Sequence, residues 1–254
     1  LLVASRFHNP KAMKTLIERK ADVTHTDRHG AGALHYLLTS KNKKEELKKW
    51  RINMKAIGYK QSLSINDPLS LIDIELPQPI ASGHDLLVRV SSIAVNPVDC
   101  KIRQNVSPEG DQYKVLGWDA VGEVVAIGES VSNFQPGDRV FYAGDLNRQG
   151  SNAEYQLVDE RLVGNKPKSL SDSEAAALPL TSITAWELLF ERLAIKQQAP
   201  DLKEQSNDVI LIVGAAGGVG SILVQLASVL TGATVIASAS RESSAKWVKK
   251  LGAD

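Results

Sequence analysis

Cysteine occurs once in the 254 residues, at Cys100. That excludes an intramolecular disulfide and any cysteine-rich zinc site. No apolar run approaches the roughly 20 residues that span a bilayer. The opening Leu1-Leu2-Val3-Ala4-Ser5-Arg6 lacks the long apolar segment of a signal peptide, so a cytoplasmic address is the default expectation. Net charge is nearly absent too, at +1. The run Lys41-Asn42-Lys43-Lys44-Glu45-Glu46-Leu47-Lys48-Lys49 has no aromatic residues interleaved. It reads as a solvated helix face and not as a nucleic-acid patch. What is present is 43% hydrophobic content, enough for a soluble globular chain with two or more cores.

The charge is unevenly spread. Residues 1–51 carry 12 lysines and arginines against 5 acids, and the other 203 residues carry 18 against 24. Opposite signs on two segments suggest two units of different origin. Leu1 and Leu34 are 33 residues apart, the ankyrin period. Leu16-Ile17-Glu18-Arg19-Lys20-Ala21-Asp22-Val23, followed by Asp27, Gly30, Leu34 and His35, resembles the ankyrin-repeat family. The resemblance covers residues 1–50, about one and a half repeats, and implies that His35 hydrogen-bonds its loop and binds nothing. Repeats of this kind bury their apolar faces only by stacking, so about three are needed for independent stability. The segment is expected to be the tail of a longer array or a fusion remnant. A protein partner through it is the weakest of the functional readings.

The most informative stretch is Val209-Ile210-Leu211-Ile212-Val213-Gly214-Ala215-Ala216-Gly217-Gly218-Val219-Gly220-Ser221. An apolar strand runs into a glycine cluster, and Ile222, Leu223, Val224, Leu226, Ala227 and Leu230 then follow with helical spacing. A second strand, Ala233 to Ala239, comes at the right distance. Strand, tight turn and helix in that order open a dinucleotide-binding fold, with glycines where the backbone must approach a pyrophosphate. The acid that binds a ribose 2′-hydroxyl in NAD-binding versions is expected at Ala239. A small residue there, followed by Ser240 and Arg241, suits a 2′-phosphate, so NADPH is the expected cofactor. Glu242 could reach the ribose if the strand ended later.

From Met54 to about Val163 the pattern is short strands between turn signals. Leu86–Val90, Val121–Gly128 and Asp138–Phe141 are the clearest, with Pro136-Gly137-Asp138 as a turn. Many short strands before a glycine-rich unit suggest an α+β or barrel-like catalytic domain joined to a nucleotide domain. Four motifs then carry a resemblance: Asn96-Pro97-Val98-Asp99, Gly117-Trp118-Asp119-Ala120-Val121-Gly122, Gln135-Pro136-Gly137-Asp138-Arg139-Val140 and Ala175 to Trp186. They resemble the medium-chain dehydrogenase/reductase superfamily, in the branch of NADPH:quinone reductases and zinc-type alcohol dehydrogenase-like proteins. The resemblance implies a mixed α/β chain with three parts. These are partial ankyrin repeats (1–50), a GroES-like β-barrel catalytic domain (54–175) and the first half of a Rossmann NADP(H)-binding domain (176–254).

The family's alcohol dehydrogenases hold zinc with cysteine, histidine and cysteine. Matched by motif, those positions are Asn96, Trp118 and one within Ala177 to Leu180, none a usual zinc ligand. The acid after the histidine is kept as Asp119, and Cys100 does not restore the site. No metal is therefore expected. Without zinc to polarise a carbonyl, reduction of a quinone or an α,β-unsaturated carbonyl is the expected chemistry. Asn96 is the candidate hydrogen-bond donor to the developing oxyanion, and Tyr142 or water the candidate proton source. The alternatives are that Asn-Pro is only a turn and Tyr142 only a strand residue. The resemblance also sets Thr181 and Thr184 near the nicotinamide. The family's nucleotide sheet has six strands and two are recognisable here. An inactive truncated fusion is thus the alternative to a working reductase, and homo-oligomerisation stays open.

Overall fold

The computed structural model describes residues 52–200 and 204–254, which fall into two compact units dividing between Ala177 and Leu178. The ankyrin-like segment and its basic charge lie outside the described residues.

The first unit is built on antiparallel strands. Strands β1 (Asn53–Tyr59), β2 (Ile72–Pro77) and β4 (Lys114–Val115) form a three-stranded sheet in the order β2-β1-β4. A five-stranded sheet has the order β7-β3-β5-β6-β8, from β3 (Asp85–Ala94), β5 (Asp119–Ile127), β6 (Arg139–Ala143), β7 (Tyr155–Asp159) and β8 (Val163–Asn165). Register shifts between Leu87 and Val88 and between Val90 and Ser92 interrupt the β3–β5 ladder, and such irregularities bend a strand. The core beneath it is Leu86, Val88, Ala120, Val124, Val140, Tyr142 and Val158. Helix α1 (Pro97–Asn105) opens with proline at its first position, where no amide hydrogen is needed. Helix α2 (Asp172–Ala176) starts from a Ser171/Glu174 capping box, and Asp172 ties it to Ser91 and Arg139 of the sheet.

The second unit starts with α3 (Pro179–Trp186), which runs on as a π-helical segment, Glu187–Arg192. Then come β9 (Val209–Ile212), α4 (Gly218–Leu230), β10 (Thr234–Ala237) and α5 (Glu242–Lys250). β9 and β10 pair in parallel, Val209 to Ile212 against Thr234 to Ala237. Ile210, Ile212 and Val235 pack with Val224, Ala227, Leu189 and Val248 to make the core. Val209, Leu211, Val213 and Ile236 are exposed. Asp254 closes the outer edge of β10: its amide donates to the Val235 carbonyl (2.9 Å), and its carboxylate accepts from the Val235 amide (2.7 Å). The second strand is shorter than the sequence suggests, because the chain leaves the ladder after the Ser238 amide bonds the Ile212 carbonyl.

Candidate cofactor and active site

The loop between β9 and α4 takes its shape from its glycines. Gly214 adopts φ +68°, and a Cβ there would point into open space, leaving the backbone bare. Gly220 is required for a different reason: a Cβ would lie 2.5 Å from the Gly214 carbonyl oxygen and 2.7 Å from the Ala215 Cα, so helix and loop could not close together. Gly217 caps α4, and its amide donates to the Gly214 carbonyl at 2.9 Å. Gly218 and Val219 follow in the first turn, where amides have no acceptor within the helix. A bare, tightly turned backbone at a helix start is a cradle that fits a pyrophosphate. Thr181 lies against it, with its Cγ2 3.4 Å from where a Gly218 Cβ would stand. The Thr181 and Thr184 hydroxyls donate to Leu178 (3.0 Å) and Leu180 (2.8 Å), carbonyls of their own helical segment.

Beyond β10 the chain exposes Ala239, Ser240 and Arg241, and Arg241 caps α5. The Arg241 side chain has no hydrogen bond or ion pair to any described residue. Glu242, the competing reader of a ribose, is the first residue of α5 and pairs with Lys246 at 2.7 Å.

In the first unit, Asn96 sits between the end of β3 and α1. Its amide donates to the Asp99 carboxylate at 2.7 Å, and its Nδ2 donates to the Asp119 carboxylate at 2.9 Å. Two segments 23 residues apart are joined there. Both acids are buried. Burial pushes the Asp99 carboxyl up from its ordinary value, while backbone hydrogen bonds involving Asn96 and Gly117 hold it down. An amide carries two N–H donors, so the bond to Asp119 fixes the group while leaving one for a ligand oxygen. Sequence reading missed Asp99. The signal was an acid three residues after an Asn-Pro helix start.

Tyr142 is placed elsewhere. It lies in the sheet core, opposite Ala120 across the β5–β6 pair, and its hydroxyl donates to Gln156 Oε1 at 2.9 Å. Complete burial drives its pKa far above the ordinary phenol value. So placed, the Tyr142 hydroxyl is engaged inside the sheet core, where it holds Gln156.

The donor set does not fit a catalytic zinc. Asn96 is turned to Asp119, and Trp118 offers an indole N–H, which has no lone pair for a metal. Trp118 is buried against Tyr59, Leu116, Val98 and Ile102, and its Nε1 has no partner among the described residues. No group of three or more His, Cys, Asp or Glu among the described residues is placed to hold a metal ion. Nor is any described helix long and apolar enough to cross a membrane.

Residues 82–168 match the alcohol dehydrogenase GroES-like domain. The chain is 47% identical over 201 residues to a zinc-type alcohol dehydrogenase-like protein of Staphylococcus epidermidis, a match covering 79% of this chain and 58% of that one. It is 37% identical over 211 residues to 2-methylene-furan-3-one reductase of Solanum lycopersicum, covering 79% and 51%. A crystal structure of a Rhizobium etli CFN 42 protein, assigned as a zinc-dependent alcohol dehydrogenase, superposes with TM-score 0.74 and 54% identity, covering 80% and 58%. Quinone oxidoreductases stand among the structural neighbours. These matches support the medium-chain dehydrogenase/reductase superfamily, and within it the zinc-type alcohol dehydrogenase-like proteins. The chain spans 58% of the length of the first of these relatives.

Proposed function

We propose that this chain carries the cofactor cradle and the carbonyl-binding side chain of a zinc-independent reductase that uses NADPH on a quinone or an α,β-unsaturated carbonyl. The observation that carries the reading is the end of β10. There Ser238 bonds the Gly214 amide of the glycine loop, and three residues on an exposed Arg241 has no partner among the described residues, while Glu242 is paired with Lys246. That arrangement favours a 2′-phosphate over a 2′-hydroxyl.

When bound, NADPH supplies a hydride. The chain's own residues bind, orient and stabilise. The loop from Gly214 to Gly220 holds the pyrophosphate, and Arg241 with Ser240 holds the 2′-phosphate. Asn96, fixed by Asp119, donates its second Nδ2–H to the acceptor's carbonyl oxygen. That oxygen gains negative charge as the β-carbon or quinone ring accepts the hydride, which is where a preorganised donor acts most strongly. Water delivers the proton that completes the reduced product. Neither Asn96 nor water needs a metal for this. The name of the Solanum relative, a reductase of a methylene-furanone, is in keeping with a conjugated-carbonyl acceptor.

The test is steady-state turnover of NADPH with a panel of simple quinones, enones and saturated ketones, for the wild type and Asn96→Ala. Oxidation of NADPH by quinones or enones but not by saturated ketones is expected. The variant should lose about 10²-fold in kcat, with little change in NADPH affinity. Equal rates in wild type and variant would remove Asn96 from the chemistry. No turnover despite tight NADPH binding would leave a nucleotide-binding chain without this activity.

A further inference from the structure

We infer that Ser238 is a specificity-determining residue of the nucleotide site, donating its hydroxyl proton to the adenosine 2′-phosphate. The inference rests on the NADPH reading above and adds a residue to it.

Ser238 is the first residue past β10, and two hydrogen bonds fix it. Its amide donates to the Ile212 carbonyl at 2.9 Å, extending the β9–β10 pairing by one residue. Its Oγ accepts from the Gly214 amide at 3.1 Å. The donor in that second bond belongs to the glycine of positive φ that opens the cofactor loop. Ser238 therefore spans the strand end and the loop within a single residue.

The hydrogen-bond inventory of a hydroxyl then decides what is left. A serine oxygen has one proton and two lone pairs. With a lone pair committed to the Gly214 amide, the proton is directed away from that amide. The side chain is exposed and makes no other hydrogen bond to a described residue. The residues that follow it are Ala239, Ser240 and Arg241, where the 2′-substituent is to be read. A neutral donor facing a phosphate forms a charge-assisted hydrogen bond, stronger than the one it would form to a ribose 2′-hydroxyl. Ser238 would then contribute direction and Arg241 charge. Replacement of Ser238 by a carboxylate would reverse the preference, because a carboxylate accepts from a 2′-hydroxyl and repels a 2′-phosphate.

The test is calorimetric titration of the full chain with adenosine 2′,5′-bisphosphate and with adenosine 5′-monophosphate. These probes differ only in the 2′-phosphate. The wild type is expected to bind the bisphosphate more tightly; the absence of that preference would overturn both the NADPH reading and this inference. Given the preference, Ser238→Ala should weaken the bisphosphate about tenfold and leave the monophosphate within about twofold. Ser238→Thr, which keeps the hydroxyl, should restore most of the loss. Equal weakening of both probes would show that Ser238 only braces the loop, and no weakening would show that it is idle. Either result overturns the inference while the wild-type preference, and a loss of it in Arg241→Ala, leaves the NADPH reading standing. Should the alanine variant fail a thermal-melt check of folding, Ser238→Cys keeps the size with a weaker donor and should give the same ranking.

Discussion

Leu86 in β3 and Leu211 in β9 are both leucines in apolar strands, yet the first is fully buried and the second 65% exposed. β3 lies inside a five-stranded sheet with partners on both edges, and its inward residues meet Ala120, Val124, Val140 and Val158. β9 has β10 on one edge, and only Ile210 and Ile212 reach the core. Apolar runs such as Val-Ile-Leu-Ile-Val belong to parallel strands buried on both faces. Here, among the described residues, one face is covered. The first unit thus holds its strands with its own side chains. The second unit spends its order on one face and on the loop at the strand ends, where the cofactor chemistry is proposed to lie.

The largest expected effect sharpens this contrast within the first unit. Leu86→Ala should destabilise that unit by about 2–5 kcal/mol, the range for emptying a packed core site, read by denaturant unfolding. Gly220→Ala should cost about 1–3 kcal/mol in the second unit, since its Cβ meets backbone and not a movable side chain, and NADPH binding should fall with it. Arg241→Ala should leave stability unchanged and weaken NADPH about tenfold, with NADH unaffected; titration of both cofactors checks this.

Acid should act chiefly on the first unit. The buried Glu160 carboxylate is bonded to His84 (2.9 Å) and accepts from the Asn133 and Ser132 amides (2.9 and 3.0 Å). The His84 bond first, then those amides, hold its pKa below the ordinary glutamate value. A lowered carboxylate stabilises the fold above the ordinary range, about pH 4.3, and that contribution is lost as pH falls through the lowered value. Glu160→Gln should therefore lower Tm at neutral pH and flatten its decline in acid. Smallest of all, Leu211→Ala should change stability by less than about 0.5 kcal/mol, as exposed sites do. A loss as large as that of Leu86→Ala would show that the outer face of β9 is covered in solution.

How much of this was legible in the sequence follows the range of the interactions. The strand, glycine loop, helix and second strand of the second unit are local in the chain, so residues 209–237 could be read off pattern and glycine placement. The strands β3, β5 and β6 were visible from their β-branched runs, although β3 and β5 begin earlier than the pattern suggested. What escaped depends on pairing across the chain. The β5–β6 register sets Tyr142 opposite Ala120, and β7 brings Gln156 to its hydroxyl, neither of which the local sequence shows. Ser238 reads as one more small residue until the parallel register brings it to Gly214, 24 positions earlier. Asn96 was picked from its motif, but its orientation by Asp119 is a contact between distant elements. Trp118 showed its type in the sequence; its burial against Tyr59 and Ile102 did not show.

The most direct test is a parallel titration of the full chain with NADPH and NADH, followed by tryptophan emission and confirmed by calorimetry. Trp247 is a suitable reporter, since its indole nitrogen donates to Ser221 in the first turn of α4 at 3.0 Å. Saturable quenching with NADPH at concentrations about tenfold below those needed for NADH is the predicted result. Binding of NADH at least as tight as NADPH, or no binding of either by folded chain, would contradict it.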